Sequence, residues 1–231
     1  MARLLRGTRH IAVGVSSPIP ASAALLTRRL SGGSTRVSIL GDPSNTFWSG
    51  GGKELFDCAA QGRVDAFFFS GAQIDGAGNI NLVGIGDYPQ SKVRFGGSYG
   101  SAFLYYMIPR IILFRPDHNA RVLVPKVDFI SAAGTSAPGV WRRGGPHALV
   151  TGKGVFSFDR TAGRFTLGSI HPGESLDGIK DATGFDYDVA ADVRETDAPD
   201  AETLDLIRGE VGAEIAATYP KFARETLGVA A

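Results

Sequence analysis

The sequence predicts an α/β fold, an open, mainly parallel sheet with flanking helices and added antiparallel strands, and three observations carry that prediction. Short apolar runs at residues 10–15, 37–40 and 66–70 alternate with helix-like stretches, which is βαβαβ order. The third run, AFFFS, has almost no polar face, as suits a parallel strand buried on both sides. After residue 110 the pattern changes to short strands separated by turn-like residues, which suits antiparallel strands extending or flanking the parallel sheet.

The elements follow in order. Ser17 and Pro18 supply an N-cap and a first-turn proline for a helix through residues 24–29, and Gly32-Gly33 ends it. A second helix covers residues 53–61 and is closed by Gly62. VRF at 93–95 reads as a strand, and SAFLYYM at 101–107 as a helix. IILF, VDFI, ALVT, GVFSFD and RFTLGSI read as strands, with TGKG and DRTAGR as hairpin loops. A helix over 176–182, a polar acidic link over 195–200 and a helix from 202 to about 215 complete the chain.

Composition bounds the function. With 231 residues, 43% of them hydrophobic, the chain is read as a single domain over 1–231. Its 24 basic residues balance 23 acids, so it has no electrostatic footprint for nucleic acid or an anionic membrane. One local imbalance stands out: Arg3, Arg6, Arg9, Arg28, Arg29 and Arg36 all precede the first acid, Asp42. A single cysteine, Cys58, excludes an internal disulfide and fits a reducing cytosol. No apolar run approaches the roughly 18 to 20 residues that span a bilayer. The Arg-rich opening runs into a strand without a cleavage region, so it is read as mature, cytoplasmic protein. His10, His118, His147 and His171 lack metal-ligand spacing, and no metal is expected.

Several motifs have bland readings beside their functional ones. The pairs Gly52-Lys53 and Gly152-Lys153 lack the earlier glycine and the following Ser or Thr of a phosphate loop. Gly14 and the Gly84/Gly86 pair do not complete a dinucleotide fingerprint. Gly96-Gly97-Ser98-Tyr99-Gly100 matches the G-x-S-x-G elbow of serine hydrolases, with Asp159 and His171 as nominal triad partners. Cys58, among Leu55, Phe56 and Ala59, reads as a small core residue. Trp141-Arg142-Arg143 reads as a loop or subunit contact, with an anionic phosphate as the functional alternative.

The segment from Gly71 to Gly100 contains GAQID, GNIN, GDY, KVRF and GSYG in that order. With LVPKVDFISAAG, VTGKGVFSFD and HPGESLDGIKDATGFD further on, it resembles the β subunit of class I CoA-transferases, most closely that of the glutaconate CoA-transferase type. The resemblance covers roughly residues 10 to 215 and implies a CoA-transferase-type fold. It also implies a homologous α subunit as partner, an acyl-CoA thioester as substrate and no further cofactor. In such enzymes a glycine turn brings backbone N–H groups to the thioester oxygen. The matching residues are Gly97, Ser98, Tyr99 and Gly100, with Gln73 and Asn81 holding the glycine loop or the substrate.

The chain departs from the family pattern in two places. Tyr99 stands where the family has glycine. The family's nucleophilic glutamate, at the end of the second strand, falls here on Leu40 or Gly41, and the nearest acid is Asp42. Three readings follow from the resemblance. The chain is a subunit of a transferase; or of a hydrolase of the steroid ring-cleaving type or a decarboxylase, whose acid-base group comes from the α subunit; or it is a non-catalytic scaffold for that subunit.

Overall fold

The structure, a computed structural model, describes residues 1–229. Strand β1 (His10–Val13) is followed by α1 (Pro18–Leu30), β2 (Arg36–Ile39), a 3-10 turn at Pro43–Asn45, α2 (Gly52–Ala60) and β3 (Ala66–Phe69). The glycine-rich segment folds as short strands β4 (Gln73–Ile74), β5 (Ile80–Asn81), β6 (Gly84–Ile85) and β7 (Val93–Arg94), then α3 (Ser101–Met107). The chain continues through β8 (Arg110–Arg115), β9 (Pro146–Thr151), β10 (Gly154–Asp159), β11 (Arg164–Ile170), α4 (Leu176–Ala182) and β12 (Asp188–Glu195). It closes with α5 (Ala201–Leu206), a π-helical turn at Ile207–Val211, α6 (Gly212–Thr218), α7 (Pro220–Phe222) and a second π turn at Ala223–Leu227. Two compact units result: residues 1–68 with those from 197 on, and residues 69–196.

In the first unit β1 pairs in parallel with β2, His10 opposite Arg36 through Val13 opposite Ile39, and in parallel with β3 at Ile11 and Ala66. All four side chains of β1 are buried, as expected of a strand covered on both faces. The helices α1 and α2 contribute Leu25 and Leu55 to the same core. The early arginines find their acids far along the chain. Arg28 pairs with Glu214, and Arg29 reaches Glu210 at 3.0 Å and Glu214 at 3.1 Å. Burial raises the Glu214 pKa, but hydrogen bonds from Arg28 and Asn45 overcome it and hold the carboxyl below its usual range. Ser17 does not cap α1 through its side chain; its hydroxyl donates back to the Val15 carbonyl at 3.0 Å.

In the second unit β8 and β9 pair in parallel, β9, β10 and β11 form an antiparallel meander, and β11 pairs in parallel with β12. The mixture of parallel strands, flanking helices and antiparallel additions is the fold class expected. Phe156, Phe158 and Phe165 form its aromatic core, with Phe158 and Phe165 edge to face at 4.8 Å. VDFI at 127–130 is not a strand: the Val127 and Asp128 amides donate to the side chains of Asp75 and Gln73 rather than to a neighbouring strand. The helix expected from 202 begins one residue earlier, as α5, where Asp200 accepts from the Thr203 amide at 2.7 Å. Among the described residues no helix is long and apolar enough to cross a membrane.

Candidate functional site

The glycine-rich segment of the second unit is held from below by four polar side chains. Asn81, fully buried, donates through Nδ2 to Gln73 Oε1 and to the Gly84 carbonyl, both at 2.7 Å. Its Oδ1 accepts from the Val83 and Gly84 amides at 3.0 and 3.3 Å. Gln73 Oε1 also accepts from the Asp128 amide at 2.9 Å. One turn earlier, Asp75 accepts from the Ala77 and Asn79 amides and from Asn79 Nδ2, at 3.0 to 3.1 Å. Asn79 Oδ1 in turn accepts from the Gly134 amide at 3.0 Å. In this geometry Gln73 and Asn81 hold the loop. Asp75 and Asn79 were not singled out by sequence reasoning, although an Asp four residues before an Asn among glycines is an Asx-turn signal.

Above this support lies the turn Gly96 to Gly100, which leads into α3. Gly97 has φ +99° and Gly100, at the N-cap of α3, has φ +66°, conformations that favour glycine. A Cβ added at Gly97 would meet nothing within 4 Å, so backbone conformation rather than space demands glycine there. Tyr99 has φ +34°, a strained value for a bulky residue, and its ring is 72% exposed. The amides of Gly97 and Ser98 have no acceptor among the described residues. They are free to donate to a ligand.

The end of β2 in the first unit is arranged differently. Gly41 has φ +86°, and Asp42 caps the 3-10 turn that follows. Asp42 Oδ1 accepts from the Ser44 and Asn45 amides at 2.9 and 3.3 Å, and Oδ2 accepts from Asn45 Nδ2 at 2.9 Å. Asn45 Oδ1 accepts from Arg28 Nη1 at 2.8 Å. Asp42 is 4% exposed. Both of its oxygens serve local structure, and Leu40 and Gly41 offer no side-chain nucleophile.

The serine-hydrolase constellation does not assemble. His171 places Nδ1 2.9 Å from Thr196 Oγ1 and Nε2 3.0 Å from the Thr151 carbonyl, so neither ring nitrogen serves Ser98. Asp159 accepts from the Thr161 and Ala162 amides of a hairpin turn. Cys58 is half-buried on α2, and among the described residues no group of three or more His, Cys, Asp or Glu is placed to hold a metal.

Comparison with known proteins agrees with the sequence resemblance. The coenzyme A transferase family model matches residues 2–182. The chain is 37% identical over 151 residues to the β subunit of glutaconate CoA-transferase from Acidaminococcus fermentans, a match that covers 62% of this chain and 56% of that protein. It is 30% identical over 215 residues to the β subunit of 3-oxoadipate CoA-transferase from Pseudomonas knackmussii, covering 90% and 80% of the two. It is 31% identical over 166 residues to the cholesterol ring-cleaving hydrolase IpdB subunit of Rhodococcus jostii, covering 68% and 62%. The chain therefore matches little more than half the length of the glutaconate enzyme's subunit. Among solved structures, the decarboxylase AibA/AibB superposes with a TM-score of 0.77 at 27% identity, over 100% of this chain and 95% of that one. The family match over residues 2–182, most of the sequence, places this chain in the coenzyme A transferase family.

Proposed function

We propose that this chain is the β subunit of a heteromeric enzyme that acts on an acyl-CoA, with a homologous α subunit as partner and the thioester bound at the junction of the two. The observation that carries the reading is the turn at Gly97–Ser98, two unengaged amides on a backbone that turns at the positive φ of Gly97. Such a pair would donate to the thioester oxygen as negative charge develops on it, in a geometry set before the substrate arrives. Tyr99, beside it, would shape the acyl pocket, and no cofactor beyond the CoA thioester is required.

A second reading, hydrolysis or decarboxylation in place of transfer, is favoured by the state of Asp42. With both oxygens committed to the turn after β2, this chain offers no carboxylate in the family's nucleophile region. The acid-base group would then come from the α subunit. The relatives that are a ring-cleaving hydrolase subunit and a decarboxylase support this reading. The test is to purify the chain with its native partner, supply a panel of acyl-CoAs with and without acetate or succinate, and follow the products by mass spectrometry. A new acyl-CoA formed only with free acid identifies transfer. Loss of acyl-CoA without acceptor, giving CoA, a ring-opened ester or CO₂, identifies the changed reaction. No consumption of any acyl-CoA would overturn both.

A further inference from the structure

We propose that a cavity on this chain framed by Thr135, Ser136, Arg142, Arg160 and Thr161 binds a phosphate group, and that this phosphate belongs to the nucleotide end of the acyl-CoA. The inference rests on the acyl-CoA reading above and assigns a place to the part of the substrate far from the thioester. The cavity has a volume of about 310 Å³ and lies wholly within the second unit. That is near the lower end of the roughly 300–1,000 Å³ of small-ligand sites.

Its charge is one-sided. Arg142 is half-buried and, among the described residues, donates to neutral acceptors: the carbonyls of Gly144 at 2.8 Å, Ala133 at 2.7 Å and Tyr105 at 3.4 Å, and Ser136 Oγ at 3.3 Å. Its guanidinium lies over the rings of Tyr106 and Tyr105, 5.5 and 5.8 Å from their centroids. Among the described residues Arg160 makes one hydrogen bond, to the Arg143 carbonyl at 2.9 Å, which leaves its other N–H groups open there. Among the described residues neither arginine has an ion pair. Asp159, next to Arg160 in the chain, is turned to the Thr161 and Ala162 amides. Burial lowers the Arg142 pKa; Tyr105 offsets part of this and the repulsion of Arg160 adds to it.

An oxyanion supplies what is missing. Two guanidinium forks and the hydroxyls, with no carboxylate in the lining, suit a phosphate, whose several oxygens accept from more than one direction. Trp141, between Val140 and Arg142 of the lining, is 66% exposed and has its ring 6.2 Å from that of Tyr106. It offers a face on which a purine base stacks. Helix α3 begins at the Gly97–Gly100 turn and carries Tyr105, whose carbonyl accepts from Arg142, so one short helix links the thioester turn to the cavity.

The holoenzyme is assayed with one acyl group on CoA, on dephospho-CoA and on pantetheine. Arg160→Gln is expected to raise KM for the acyl-CoA about tenfold, the loss of a charge-assisted contact. Thr161→Val raises it several-fold, Arg160→Lys restores much of the loss, and KM for the acyl-pantetheine moves less than twofold in all three. Equal shifts for the three thioesters, or none, would overturn the phosphate site while leaving the acyl-CoA reading standing. No turnover of any thioester by the wild type would remove both. Inorganic phosphate is titrated in parallel: competitive inhibition against acyl-CoA but not against acyl-pantetheine supports the site. Calorimetric phosphate binding lost in Arg160→Gln, yet without competition, assigns the cavity to free phosphate and overturns the nucleotide source.

Discussion

The end of β2 and the turn before α3 are built from the same parts, a glycine at positive φ beside a polar residue, and use them in opposite ways. After β2, Gly41 turns the chain and Asp42 closes on itself, each oxygen accepting from the turn it caps. Before α3, Gly97 turns the chain and leaves two amides open. A polar group whose hydrogen bonds are complete belongs to the frame, and one left open at an exposed turn is where a ligand gains most. Acidity near a family's nucleophile position is therefore a poor guide by itself. What counts is whether the acid is already engaged.

The comparison breaks most sharply at Gly97. Gly97→Val places a β-branched residue at φ +99° where a Cβ meets no neighbour. The turn is then reshaped without a core clash, and turnover is expected to fall by about 10²- to 10³-fold, the effect of removing an oxyanion donor. Circular dichroism should stay near wild type, with Tm lowered by the strain of a side chain at positive φ but the cooperative transition retained. Retained activity would show that the open amides do not face the reaction.

The closed pattern recurs at His118, and pH probes it. Its Nδ1 and Nε2 each lie 2.8 Å from a hydroxyl, of Thr151 and Thr183, and burial pushes its pKa down to about 4. The imidazole is neutral when folded, so the unfolded chain binds the extra proton. Stability present above pH 6.5 is lost as the pH falls from there toward 4, at no more than about 1.4 kcal/mol per unit. Denaturant unfolding across that window should show the slope in wild type and a flatter one in His118→Gln.

Asp42→Ala sharpens the comparison from the other side. Loss of the cap is expected to cost about 1–2 kcal/mol of stability, while turnover of the folded holoenzyme changes less than twofold. A thousandfold loss of turnover in a stable variant would make Asp42 the missing acid. The smallest effect is expected at Tyr99. Tyr99→Gly relieves strain at φ +34° but loosens the unfolded chain, so stability moves by less than about 1 kcal/mol. Its visible result should be acceptance of bulkier acyl groups, read as lower KM for branched thioesters.

Much of this was legible in the sequence because local and global demands agree. The strands β1, β2 and β3 and the β9–β11 meander are apolar where the core needs them, and α4 matches its expected bounds, residues 176–182. VDFI failed because Asp75 and Gln73, more than fifty residues earlier, capture its amides. The β12 sequence DVAADVRE is mostly exposed, so no period of buried positions announces it. At the site, the glycines announced a turn and the five-word match announced the family. Nothing local distinguishes an Asp that caps from one that reacts, or shows that His171 already has Thr196 and Thr151 as partners.

The arginine-rich segment has a consequence for chain entropy. Arg28 and Arg29 wait for Glu210 and Glu214, and the unit that contains them is assembled from residues 1–68 and the segment after 197. The pairs with Glu214 join residues 186 and 185 positions apart, so the first unit must close a long loop before it is complete, a cost in chain entropy that the contiguous residues 69–196 do not carry.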